Sequence, residues 1–196
     1  MKSISKIWLR ARRSAAGLIE DRSGIAAIEF AMIVPIMLVM FFGTVEFSSG
    51  VAVDRKVTLV ARTLADLGSQ YTSVATTDTA NFFAASSSIL TPYSSTPTKA
   101  TISELYVNPS TLKATVQWSQ AYQGGTSRAV GSAVTIPTAL AVAGTYLIFS
   151  EVSYLYTPAV GYVMGKAGVT LSDVAYTRPR QSLCVFFSPA TACTTS

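Results

Sequence analysis

Seven residues, Gly24-Ile25-Ala26-Ala27-Ile28-Glu29-Phe30, stand at the head of a long apolar run. Their types and spacing point to two kinds of chemistry, peptide-bond cleavage and charge pairing. From Phe30 to Val45 the chain carries no charge. A carboxylate well inside a membrane helix costs about 2.5–3.5 kcal/mol, and less near the interface. Glu29 therefore calls for either headgroup water or a cationic partner. A cut after Gly24 would supply the partner, because Ile25 would then carry an ammonium four residues from Glu29. Burying the two charges as a pair is far cheaper than burying one alone. Such a pair, within one subunit or between neighbours in a helical stack, would also fix axial register. Glu46, at the far end of the run, reads as a snorkelling interfacial anchor.

Other chemistry is sparse. The chain has no histidine, which removes His-based triads, His metal sites and the usual general base near neutral pH. Two cysteines nine positions apart do not make a zinc site. The carboxylates Asp78, Glu104, Glu151 and Asp173 lack calcium-loop spacing. Ser3-Ile4-Ser5-Lys6 fits a Ser-x-x-Lys pattern but has nothing around it. No phosphate-cradling glycine loop occurs. These absences argue against an enzyme and predict no cofactor and no metal.

The elements that must position Glu29 follow from periodicity and charge. The net charge of +5 is uneven: residues 1–24 hold six basic and two acidic side chains, the remainder nine and eight. The basic excess thus belongs to the leader and gives no basic face to a folded domain, so nucleic acid is not an expected partner. It reads instead as topology. By the positive-inside bias the N-terminus is cytoplasmic and everything after about Phe47 lies outside. In that outer compartment a Cys184–Cys193 disulfide closing a small C-terminal loop is plausible, two unpaired thiols being the alternative.

Ile25 to Phe47, as a helix, reaches about 35 Å, enough for a hydrocarbon core of about 30 Å. Pro35 lacks an N–H for the Ala31 carbonyl and crowds that turn, which predicts a kink. Val53, Val57, Val60, Leu64 and Leu67 continue as an amphipathic stripe, with Gly68 as a stop. Residues 25–70 then form one long helix, loosened near Gly43 and Ser48-Ser49-Gly50. Ser/Thr-rich residues 71–100 read as a connection with a short helix from about Asp78 to Leu90. Beyond Thr101 the period changes to two. Strands are expected at Thr101 to Val107, Leu112 to Gln120, Thr145 to Tyr156 and Val169 to Arg178. Leu112, Ala114, Val116 and Trp118 form the inward row of the second, and Gly124-Gly125 marks a loop. The expected fold is α+β: a long N-terminal transmembrane and amphipathic helix packed on a small antiparallel sheet of about four strands. It divides as leader 1–24, helix 25–70 and extracytoplasmic domain 71–196.

The segment around Gly24 resembles a type III, prepilin-like signal. In that family a membrane aspartyl peptidase cuts on the cytoplasmic side, after the glycine, and leaves the apolar helix in place. The resemblance implies cleavage between Gly24 and Ile25, with Glu29 and Phe30 serving assembly and register. More narrowly, Gly24 to Ala31, then Pro35, then Gly43-Thr44-Val45-Glu46, is similar to the TadE/TadF family of tight-adherence (Flp) pilus systems. Glu151 to Pro158 and Thr177-Arg178-Pro179-Arg180 resemble that family less specifically. The likeness is specific over about 22–62, and 71–140 carries no signature. The major Flp pilin ends soon after its helix, so the resemblance implies a pilin-like minor pilin or pseudopilin. Its implied partners are a prepilin peptidase, other Tad pilins and pseudopilins, the pilus assembly machinery and the inner membrane. An uncleaved, signal-anchored envelope domain that binds partners without entering a filament is the other reading.

Overall fold

The computed structural model describes residues 23–158 and 168–193. The segment read as a leader, up to residue 22, lies outside the described residues. The chain divides into two units, Met1–Phe47 and Ser48–Ser196. The division falls inside helix α1 (Ser23–Ser69), which runs on through Pro35, Gly43 and Gly50.

In the first unit the helix is apolar on every face. Ile28, Phe30, Met32, Val39 and Phe47 are all more than 60% exposed. A helix hydrophobic all round is made for lipid or other helices rather than for water.

In the second unit α1 is amphipathic. Val53, Val57, Val60 and Leu64 are buried, with Ala61 and Ala65 beside them and Leu67 partly so. They pack with Phe82 and Phe83 of α2 (Thr76–Ser87) and with one face of a five-stranded antiparallel sheet. The Asp78 carboxylate accepts from the Ala75 N–H at 2.8 Å and closes the start of α2. A short 3-10 turn, Ser88–Leu90, follows. The helix expected at Asp78 to Leu90 thus begins two residues earlier and tightens in its last turn.

The sheet order is β4-β3-β2-β5-β6, from β2 (Thr98–Val107), β3 (Ala114–Tyr122), β4 (Ala133–Val134), β5 (Tyr146–Tyr156) and β6 (Val169–Thr177). Four match the expected strands within three residues. The fifth, β4, pairs only Ala133 and Val134 with β3, too short to carry a periodic signal. A two-stranded parallel pair joins β1 (Ser73–Val74) to β7 (Phe186–Phe187).

The sheet packs apolar side chains on both faces, on the far face over part of its area. Ala100, Ile102, Ile148, Val152 and Tyr154 face α1, and the Ser150 hydroxyl donates to the Ala61 carbonyl at 2.6 Å. Leu105, Val107, Leu147 and Phe149 face the other way, onto Val134 with Ile136 and Leu140 alongside. The expected single inward row on β3 is corrected here. The register shifts at Glu104/Leu105, so that Glu104 opposes Trp118 while Leu105 opposes Val116. Gln117 is the extra residue of a β-bulge, and a bulge reverses the alternation. Trp118 therefore joins the helix-side core, and Ala114 and Val116 join the far one. Leu112 lies outside the strand with φ of 55° and is exposed.

Gly68 is also corrected. It lies inside the helix, without a positive φ, and its role is close approach. A Cβ there would come within 2.8 Å of Ile102 Cδ1 and 3.2 Å of Ile148 Cγ2. Gly68→Val is expected to destabilise by about 1–3 kcal/mol through overpacking. Gly68→Ala is expected near neutral, because about 1 kcal/mol of helix propensity offsets a smaller clash. The difference between their urea midpoints checks this.

Candidate functional site

Three features carry the polar and reactive groups. The first is the N-terminal part of α1. Gly24 and Ile25 lie in its first turn, both exposed, and among the described residues nothing lies within 4 Å of a Cβ built on Gly24. Glu29 and Phe30 are exposed one turn further on. Residues i and i+4 share a helix face with Cβ atoms about 5–6 Å apart. Ile25 and Glu29 therefore stand one above the other. The helix is long and apolar enough to cross a membrane, and its most apolar stretch has no part buried within the chain. Covering such a surface is worth roughly 25 cal/mol per Å² of apolar area removed from water.

The second feature lies beneath the C-terminal segment. Arg180 donates its N–H to the Ser69 carbonyl at 2.9 Å, and its guanidinium pairs with Asp66. Ser188 donates to the Val74 carbonyl at 2.9 Å, beside the β1–β7 pair. Between these ties, Val185 is held on both sides. Its N–H donates to Glu104 Oε1 at 2.5 Å, and its carbonyl accepts from Trp118 Nε1 at 2.6 Å. A disulfide joins Cys184 and Cys193, with Cys184 buried against Tyr106 and Tyr146. Glu104 is 2% exposed. Burial pushes its carboxyl up to about 8; the Val185 N–H and the nearby Trp118 indole oppose that rise without cancelling it. At neutral pH this carboxyl is mostly protonated. It is a structural group, clamped and shielded from any substrate. Its spacing from Asp78, Glu151 and Asp173 does not single it out in the sequence. The signal is its place on the strand face of Ala100 and Ile102, which are apolar and buried.

The third feature is a cleft of about 670 Å³ on the far face of the sheet. Its floor is Thr101, Glu151, Ser153 and Ser172, and its wall is the loop from Gly124 to Arg128. Arg128 makes a two-pronged ion pair with Glu151, Nε to Oε2 at 2.7 Å and a terminal nitrogen to Oε1 at 2.6 Å. Its guanidinium lies 5.6 Å from the centre of the Phe149 ring, which stacks on Tyr176. The ion pair with Glu151 raises the Arg128 pKa further. The two glycines read as a loop have separate tasks. Gly124 takes a φ of +76°, and a Cβ on Gly125 would meet the Ala100 carbonyl oxygen at 2.6 Å. Only glycine lets the loop lie this close to β2.

Within the second unit, Glu104 lies on the strand face that carries Ile102, toward α1, while the cleft opens on the opposite face beside Thr101 and Glu151. Among the described residues no group of acids, cysteines or histidines could hold a metal ion.

In comparisons with known proteins, the family model described as TadE-like protein matches residues 24–66. No curated protein and no solved structure matches the chain.

Proposed function

We propose that this chain is a TadE-like minor pilin, or pseudopilin, acting in the assembly of a Tad (Flp) type IV pilus. A prepilin peptidase cuts between Gly24 and Ile25. The helix that follows holds the protein in the inner membrane, N-terminus cytoplasmic and C-terminal domain periplasmic, and packs with other Tad pilins. The C-terminal domain meets the assembly machinery or a surface to which the cell adheres. The protein is not an enzyme.

One observation carries this reading: the family match begins at Gly24 and ends at Asp66, nearly coincident with α1. The likeness thus covers the membrane-capable half and the amphipathic half together, and it starts at the glycine where the cut is expected. A small residue suits a tight peptidase pocket, which a side chain at position 24 would obstruct. The free space around Gly24 supports the same role, since packing among the described residues gives no reason for a glycine there.

The intact mass of the protein purified from its native membrane tests the reading. The expected species begins at Ile25, and Gly24→Leu retains the leader. A native species beginning at Met1 would overturn processing and leave an uncleaved, signal-anchored envelope domain.

A further inference from the structure

We infer that the cleft between the Gly124–Arg128 loop and the far face of β2, β5 and β6 is a binding site for an uncharged oligosaccharide. This goes beyond the pilin reading, which stands or falls independently of it.

The ligand class follows from what the cleft offers and what it lacks. Its volume of about 670 Å³ lies in the ordinary range for small-molecule sites. Two cations, Lys99 and Arg128, are balanced by two anions, Glu151 and Asp173. The field in the cleft therefore selects neither an anion nor a cation. Hydroxyl residues are prominent in its lining, Thr101, Thr126, Ser127, Ser153 and Ser172, of which Thr101 already donates to the Thr126 carbonyl at 3.2 Å. Each is both donor and acceptor, which suits a ligand that is itself mostly hydroxyl. No aromatic ring and no deep apolar pocket lines the cleft, so an apolar ligand gains little there.

A peptide is the other neutral, hydrogen-bonding candidate, and the geometry disfavours it. Extended peptides add to a free strand edge or anchor a side chain in an apolar pocket. This cleft lies on a sheet face. The backbone of β2 and β5 beneath it is already committed on both sides, Thr101 opposite Ala121 and Glu151 and Ser153 opposite Lys99 and Ser172, while β6 is the edge strand. The Arg128–Glu151 pair adds planar donors and acceptors that are fixed before any ligand arrives. The Phe149 ring and the two-pronged contact hold them in place. Fixed groups lose little entropy on binding, so even a small, wet site can discriminate. The wall is equally fixed, because Gly125 seats the loop against the Ala100 and Tyr122 carbonyls.

The test uses the full chain in a polyoxyethylene detergent, since a sugar-based detergent would compete. Cellotriose, chitotriose, maltotriose and mannotriose are titrated by calorimetry and by saturation-transfer NMR. Trigalacturonate and a Ser/Thr-rich hexapeptide are titrated alongside them. At least one neutral trisaccharide is expected to bind with a dissociation constant at or below about 1 mM. Ser153→Tyr, which fills the floor, is expected to weaken that binding at least tenfold. Ser172→Trp on the exposed edge strand does the same, and an unchanged thermal melt shows that the domain still folds. The inference is overturned if none of the four neutral sugars saturates the protein by about 10 mM. It is likewise overturned if trigalacturonate or the hexapeptide binds more tightly than all of them, or if a folded Ser172→Trp keeps full affinity.

Discussion

Between pH 5 and pH 8 the stability of the C-terminal domain is expected to fall with rising pH, by close to tenfold in its folding equilibrium per unit. Glu104→Gln is expected to abolish that slope. The direction follows from the folded carboxyl titrating at about 8 against 4.5 for an ordinary glutamate. Between those values the folded state keeps a proton that the unfolded state has lost. Stability then declines as pH rises and levels off above the folded value. The whole window amounts to roughly 5 kcal/mol as an upper figure, a large share of a domain's total. The absence of histidine makes the measurement clean, because no other side chain ordinarily titrates there. The tyrosines that burial shifts, Tyr146, Tyr154 and Tyr176, move upward from 10 and stay outside the window. Glutamine keeps an oxygen for the Val185 N–H and carries no charge at any pH. The variant should match the parent near pH 5 and exceed it near pH 9. Urea unfolding of the full chain in detergent, followed by tryptophan fluorescence with Trp8 replaced by Phe so that Trp118 alone reports, reads both. A parent whose midpoint does not move, or a variant with the parent's slope, would refute the buried-acid account.

Much of this architecture can be read from local pattern, and the parts that cannot share a physical reason. The stripe Val53, Val57, Val60, Leu64 is a helical period that packing in the second unit uses as it stands. The long strands β2, β5 and β6 carry their own turn signals. The bulge at Gln117 is different. Ala114, Val116 and Trp118 look like one row, and only the pairing of Glu104 with Trp118 and Leu105 with Val116 splits them. That register is set by two cores on opposite faces, not by β3 alone. The C-terminal segment was opaque for the same reason. Residues 180–188 have little periodicity, and their order comes from partners more than a hundred positions away, at Asp66, Ser69 and Val74. The burial of Glu104 is a tertiary fact: it shares a strand face with Ala100 and Ile102, but only the packing of Val185 and Trp118 over that face closes it from water. The cleft was half legible. Gly124-Gly125 marks the loop, while the Arg128–Glu151 pair spans 23 residues and depends on the strand order. At the membrane end the position is reversed. The pattern around Gly24 and Glu29 is plain in the sequence, and a single chain offers nothing for it to act on.

Glu29→Ala is expected to leave insertion and cleavage intact and to abolish the protein's contribution to piliation. Ile25 and Glu29 are one turn apart on the same face of α1. After a cut at Gly24, the new ammonium and this carboxylate enter the bilayer edge together, on one subunit or on neighbours. Removing the carboxylate does more than delete an attraction. It strands the ammonium, and an ion left alone after its buried partner is removed costs about 3–5 kcal/mol. That is a hundredfold or more in the equilibrium for each subunit that must pack. Because the alanine side chain is more apolar, insertion itself should improve slightly, so a loss of pili cannot be assigned to failed targeting. Glu29→Gln separates charge from hydrogen bonding and should fail nearly as badly, whereas Glu29→Asp should recover part of the function. Pili are counted by electron microscopy and in the sheared fraction, while the N-terminal mass of each variant confirms that it begins at Ile25. Wild-type piliation in a correctly trimmed Glu29→Ala strain would mean that the carboxylate reaches headgroup water instead and sets no register.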